Sequence, residues 1–349
     1  MEILDPFAQE LLAGPPPPTF DFSPGVGDAG MSMDIAQLDD YLRAIGVLPP
    51  LPPAAAHVDA HVQPQAAPLP AHSAASSHDD GSAAALDAYD SDIDASLRAT
   101  ETDARERPSP GYLDPARGSG GLDPAAARAA LVAWMSSFAL YFGVGPAALH
   151  RAVSYADRFL SAGAVITIGA ADVEYRLRLL GAAAVYAAAK HEDSGTARRV
   201  NARDIAARCG FAAWQEVVAA ERALLAALGY RLGGPTAHTF VEHFTRHAGV
   251  GEGGLELRRA AHAIAGSSLI DHRCLRLLPS AVAAAAILLA RMSLEPAHDR
   301  EQVRRWGREL EELTGYKPMD VYEGLHCMYE MMPEYPGFVI SPLLFADPS

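Results

Sequence analysis

From about residue 123 onward, apolar positions recur at helical spacing, one short segment after another. Leu131, Trp134, Met135, Phe138, Tyr141 and Phe142 fall on one face of a helix that starts at an Asp123-Pro124 cap, and Gly143, Gly145 and Pro146 end it. Leu149, Val153, Ala156, Phe159 and Leu160 mark a second helix, closed by 161–163. A third runs over about 172–190, and its centre, LLGAAAVYAAAK, is apolar on every side. A helix without a polar face belongs in the middle of a bundle, where Ala and Gly let its neighbours approach closely. Asn201 opens a short fourth helix that stops at Gly210, and a fifth covers about 212–228.

Pro235-Thr236 begins a second set, expected at about 236–248, 255–272, 279–293, 298–314 and 318–332. The two sets echo each other. LLGAAAVYAAAK ends at Lys190 and LPSAVAAAAILLAR ends at Arg291, each the third helix of its set and each closing on a cation. Repetition at this period predicts two tandem five-helix bundles. No run of alternating β-branched residues calls for a sheet, so the fold class is all-α.

The first 107 residues follow no such pattern. They contain 13 of the 26 prolines, and 54–85 is Ala, His, Ser and Pro with almost no large apolar side chain. Such a segment buries too little surface to offset its ordering entropy, so residues 1–107 read as a disordered tail. Met33–Val47, with Ile35, Leu38, Tyr41, Leu42 and Ile45 at helical spacing, is its one island of pattern. The tail holds 18 of the 43 acidic residues against four basic ones, so the net charge of −15 belongs to it and the rest is near neutral. That balance argues against a nucleic-acid or anionic-membrane partner. The N-terminus has no basic start followed by an apolar core, and no apolar run reaches a membrane span. Cys209, Cys274 and Cys327, far apart and odd in number, read as reduced thiols of an intracellular protein.

A search for catalytic chemistry finds none. GSGG at 118–121 and GEGG at 251–254 lack the strand and the GK[ST] ending of a phosphate cradle. There is no H-R-D, D-F-G, G-x-S-x-G or H-E-x-x-H. His57 and His61 lie in the low-complexity tail. His238, His243 and His247 share a helix with Glu242 but suggest no third ligand, so they read as a solvated helix face; no metal and no cofactor are expected.

Seven segments, in order, resemble the cyclin family, most nearly the mitotic-like A and B types of plants, with the plant F group as the subgroup. ARERPSPGYLDP (104–115) is similar to the R-P-x-x-x-Y approach to the cyclin box, and AARAALVAWM (126–135) to its M-R-x-x-L-V-D-W opening. SYADRFLS (154–161) stands for Y-x-D-R-[FY]-L-S, and RLRLLGAAAVYAAAKHED (176–193) for the L-Q-L-L-G…A-A-K-[FY]-E-E helix. GGPTAHTFVEHF (233–244), SSLIDHRCLRLLPSAVAAAAILLA (267–290) and ELTGYKPMDV (312–321) resemble the hinge and second fold.

The resemblance implies an N-terminal cyclin fold over 108–233, a C-terminal one over 234–335, and a short tail over 336–349. It implies a non-catalytic subunit that binds and activates a cyclin-dependent serine/threonine kinase in cell-cycle control. The location expected is nucleus and cytoplasm, and kinase substrates or inhibitors are further partners. The family's polar anchors for the kinase map onto Lys190 and Glu221, with Leu225, Tyr230, Leu232 and His191 around them. Read without the family, Lys190 merely caps a helix end and Glu221 is solvated. Arg128 and Asp157 match a buried structural pair joining the first two helices.

The family's substrate-docking groove maps onto Leu131, Trp134 and Arg178. Here its methionine, isoleucine and glutamine are Ala127, Ala130 and Arg178, which removes apolar depth and adds a cation. No R-x-x-L destruction box precedes the box, and there is no L-x-C-x-E. The alternative reading is a cyclin-fold binding module that no longer activates a kinase. A helical enzyme would need a convergent polar pocket, which the sequence does not suggest.

Overall fold

The computed structural model describes residues 80–109, 111–114, 123–163, 173–192, 200–246, 252–295 and 300–331. The island at 33–47, His57, His61, His247, the 118–121 glycines and the 336–349 tail lie outside them. Eleven α-helices and one 3-10 helix make up the described secondary structure, and no strand occurs among the described residues.

Helices α2 (Pro124–Tyr141), α3 (Pro146–Ser161), α4 (Val173–Glu192), α5 (Ala202–Cys209) and α6 (Trp214–Ala227) form the first bundle. Their starts follow from local chemistry. The Asp123 carboxylate accepts from the Ala125 N–H at 3.0 Å, ahead of Pro124. The Asn201 side chain accepts from the Arg203 and Asp204 amides, and α5 ends on Gly210 in the left-handed region, φ 69°. Helix α4 is the axis. Leu179 through Val185 are all buried, and α2, α3 and α6 pack around it. Gly181 sets how closely α2 approaches, because a Cβ there would lie 3.0 Å from Leu131, Trp134 and Met135.

The second bundle repeats the plan with α7 (Ala237–Thr245), α8 (Glu252–Ser267), a 3-10 turn (His272–Arg276), α9 (Pro279–Leu294), α10 (Arg300–Thr314) and α11 (Tyr322–Glu330). Thr236 and Thr239 form a reciprocal capping box at the start of α7. Alanine-rich α9 is buried from Ser280 to Ala290 and is packed by α7, α8, α10 and α11. The two central helices, 101 residues apart in the sequence echo, thus occupy equivalent places.

One expectation needs correction. The tail read as disordered through residue 107 contains helix α1, Asp80–Glu101, which docks on the second bundle. Polar anchors fix it. Glu101, 2% exposed, accepts from the Ser280 amide at 2.9 Å and from its hydroxyl at 2.6 Å, at the first turn of α9. Arg98 donates to the Thr314 carbonyl at 2.6 Å and lies over the rings of Phe244 and Tyr316. Asp90 pairs with Arg246, and Asp94 with His243. Leu97 is the helix's apolar contact with the second core.

The bundles are stitched by α3. Arg151, Tyr155 and Arg158, at helical spacing on one face, hold the connecting strand of backbone: Arg151 donates to the carbonyls of Leu232 and Gly234, Tyr155 to Leu232, and Arg158 to Arg231. Glu106 pairs with Arg158 at 3.1 Å, so the approach segment joins the same seam.

Candidate functional site

Lys190 lies in the last turn of α4 and Glu221 in the middle of α6, and the structure brings their side chains together as an ion pair. The Lys190 ammonium also sits 4.0 Å from the centroid of the Tyr186 ring, one turn earlier on α4. The lysine side chain is 38% exposed and the glutamate 9%, so the cation covers the carboxylate and remains open to solvent on its outer side. A deeply buried carboxylate without a partner would be costly; this one has its partner at the surface.

Leu225, one turn after Glu221 on α6, is half-buried on the same face. Its carbonyl accepts from the Tyr230 amide. Tyr230 is 71% exposed and holds φ 58°, a conformation that costs an ordinary side chain about 1–2 kcal/mol. Leu232 is half-buried against the first core, its carbonyl held by Arg151 and Tyr155. His191 is exposed beside Glu192, and Glu192 pairs with Arg151. Arg151, which sequence reasoning passed over, therefore links the end of α4 to the Leu232 backbone. Its position one turn before Tyr155 was the available signal.

The substrate-groove residues stand differently. Leu131 and Trp134 are 5% and 3% exposed and pack against Gly181, so they are core side chains and frame no open surface. Arg178 is largely covered, with Glu174 one turn before it on α4.

Arg128 and Asp157 form a two-pronged pair at 2.8 and 2.9 Å, both 3% exposed. Tyr112 donates a third bond to Asp157. Burial works against the charge on Arg128, but the adjacent Asp157 prevails and raises its pKa, while burial and the same carboxylate push the Tyr112 hydroxyl up. The remaining guanidinium nitrogen donates to the carbonyls of Leu269 and Ile270 in the second bundle. The pair joins α2 to α3 and also ties the two bundles together.

A crevice of about 110 Å³ opens beside this pair between the bundles, lined by Arg107, Asp157, Thr236 and Asp271 among others. Arg107 is committed to the carbonyls of Arg276 and Leu277, and Asp271 to Arg273. The three cysteines are free and buried; burial pushes the Cys209 and Cys274 thiols up to about 12, so neither is a nucleophile. No helix among the described residues is long and apolar enough to cross a membrane.

The histidine group differs from its sequence reading as a solvated face. His238 and Glu242 of α7 are met by His262 of α8, whose Nε2 lies 2.7 Å from Glu242, and the buried ring of His150 from α3 stands beside His238. His243 turns to Asp94 of α1 instead.

Comparison with known proteins follows the same division. Residues 92–233 match the model for the cyclin N-terminal domain, and 235–338 match that for the cyclin C-terminal domain. Over 233 residues, 67% of this chain, the sequence is 52% identical to a putative cyclin-F2-1 and 51% identical to cyclin-F2-2, both of Oryza sativa subsp. japonica. Cyclin-A3-1 of the same organism is more distant, 30% identical over 250 residues, which are 70% of this chain and 61% of that protein. The matched region spans 57% and 50% of the two F-type relatives, so the chain covers about half of their length.

Proposed function

This chain belongs to the cyclin family, and we propose that it binds and activates a cyclin-dependent serine/threonine kinase in cell-cycle control. Cyclins are regulatory rather than catalytic proteins. The observation that carries the proposal is the Lys190–Glu221 pair, drawn from two helices to one half-open surface with Leu225 on the same face and Tyr230 at the end of α6.

A helix of the kinase laid on that face would bury apolar area on Leu225 and Tyr230. It would also offer main-chain groups to the ammonium and the carboxylate, which fix its register. The chain supplies no reacting group. It favours the kinase conformation in which the Lys–Glu pair for phosphoryl transfer is closed, because it binds that conformation better. Action in the nucleus and cytoplasm, and recruitment of kinase substrates or inhibitors, belong to the same reading.

The test is capture of a purified cyclin-dependent kinase by the full chain, followed by phosphorylation of a histone-type substrate. The native chain should bind and activate. The Lys190→Ala, Glu221→Ala double variant, checked as folded by circular dichroism, should weaken binding and lose activation. Binding without activation would support instead a binding module, a reading favoured by the burial of Leu131 and Trp134. No binding by a folded native chain would end the activator reading and favour a decayed member of the fold.

A further inference from the structure

Three imidazoles and one carboxylate converge where α3, α7 and α8 meet. His238 and Glu242 are four residues apart on α7 and so share a face. His262 reaches them from the middle of α8. One ligand atom from each of these three residues lies within 4.8 Å of the other two. The His238 and His262 rings are 4.1 Å apart between centroids, and the His150 ring lies 5.7 Å from that of His238. His150 is 3% exposed and its Nε2 has no hydrogen-bond partner; the buried Nδ1 of His262 has none either.

This arrangement is poorly explained by packing alone. Imidazoles stacked this closely repel once two of them are protonated, and orphaned ring nitrogens in a buried setting cost desolvation without return. Both features suit a bound cation. Neutral imidazole, with a lone pair on one ring nitrogen, is the ligand form. Glu242, with Arg258 beside it at 3.7 Å, supplies the anionic oxygen.

We propose that His238, Glu242 and His262 form a binding site for a zinc-type divalent ion. Two imidazole nitrogens and one carboxylate oxygen are an ordinary ligand set for such an ion, and they leave a tetrahedral centre one further position. The hard cations calcium and magnesium would prefer more oxygen than this site offers. The three ligands come from two helices packed on each other, so the ion's role is structural. It clamps α7 to α8 within the second bundle.

The test uses the full chain stripped with a chelator and titrated with Zn²⁺ alone, by calorimetry and by metal analysis after gel filtration. One equivalent is expected to bind and to raise the thermal midpoint, and Co²⁺ in its place should give the intense visible absorption of a tetrahedral centre. His262→Asn should weaken binding by more than the roughly 10–100-fold that loss of a mere supporting group costs. His238→Gln is a second variant for the case where the first does not fold. His326→Asn, in the exposed His326–Glu330 pair of α11, should leave binding unchanged. The proposal is overturned if the native chain binds no equivalent of Zn²⁺. It is equally overturned if binding persists in the folded α7 or α8 variant or disappears in the α11 one.

Discussion

Arg128 and Asp157 meet through two hydrogen bonds at 2.8 and 2.9 Å in the buried seam, and the remaining guanidinium nitrogen of Arg128 donates to the carbonyls of Leu269 and Ile270. Removing one partner strands the other charge. Asp157→Ala is expected to destabilise the chain by about 3–5 kcal/mol in urea unfolding. Replacing both charges, Arg128→Met with Asp157→Leu, should recover only part of that loss. The two carbonyls of the second bundle would still lack their donor. Full recovery would show that the inter-bundle bonds contribute nothing.

Glu101 tests whether α1 is part of the fold. Its carboxylate caps the first turn of α9 from inside the protein, accepting from both the amide and the hydroxyl of Ser280. Glu101→Ala should lower stability by about 2–3 kcal/mol, the scale of a lost charged hydrogen bond with its donors left buried. A shift in midpoint below a few tenths of a kcal/mol would mean that α1 rests on the bundle without supporting it.

These two sites mark the limit of what the sequence could reveal. The bundle helices were legible because each carries its own signals: Asp123-Pro124, the Asn201 cap, Gly210, and the unbroken apolar centres of α4 and α9. Lys190 and Glu221 were legible only through the family motif, since an isolated cation at a helix end looks like a cap. Helix α1 was hidden because its anchors, Arg98 and Glu101, find partners 216 and 179 residues away, and its own stretch is acidic and alanine-rich. His262 was missed for the same reason. Its spacing from Glu242 crosses a helix boundary, so no local period joins them. The fate of Leu131 and Trp134 as core side chains depended on Gly181, a contact between helices that no spacing rule reports.

Gly181 provides a sharper test of packing. In an exposed helix, Gly→Ala is favourable by up to about 1 kcal/mol. Here the added methyl would meet Leu131, Trp134 and Met135 at 3.0 Å each, all buried. Overpacking of that kind costs about 1–3 kcal/mol, so Gly181→Ala should be net destabilising. Thermal or urea denaturation decides it, and a more stable variant would mean that α2 can move away from α4 without loss.

Acid should loosen the molecule through its buried histidines, and the sign can be worked out. An unfolded histidine titrates near 6.5, whereas burial, followed by the charges of neighbouring His238 and His262, holds His150 at about 3 in the fold. His238 is held at about 4 by burial and His262, with Glu242 and Glu192 pulling the other way and Arg151 adding to the depression. Above pH 6.5 neither state binds these protons and stability is unaffected. Below it the unfolded chain takes them up and the folded chain does not, so stability falls with pH until the folded values are reached. For fully buried His150 the slope approaches about 1.4 kcal/mol per pH unit; half-exposed His238 adds a smaller, solvent-screened share. In chelator-containing buffer, the urea midpoint should be flat from pH 8 to 7 and decline from about 6 to 4.5, and His150→Phe should flatten the decline. An unchanged acid limb in that variant would place the proton uptake on other groups.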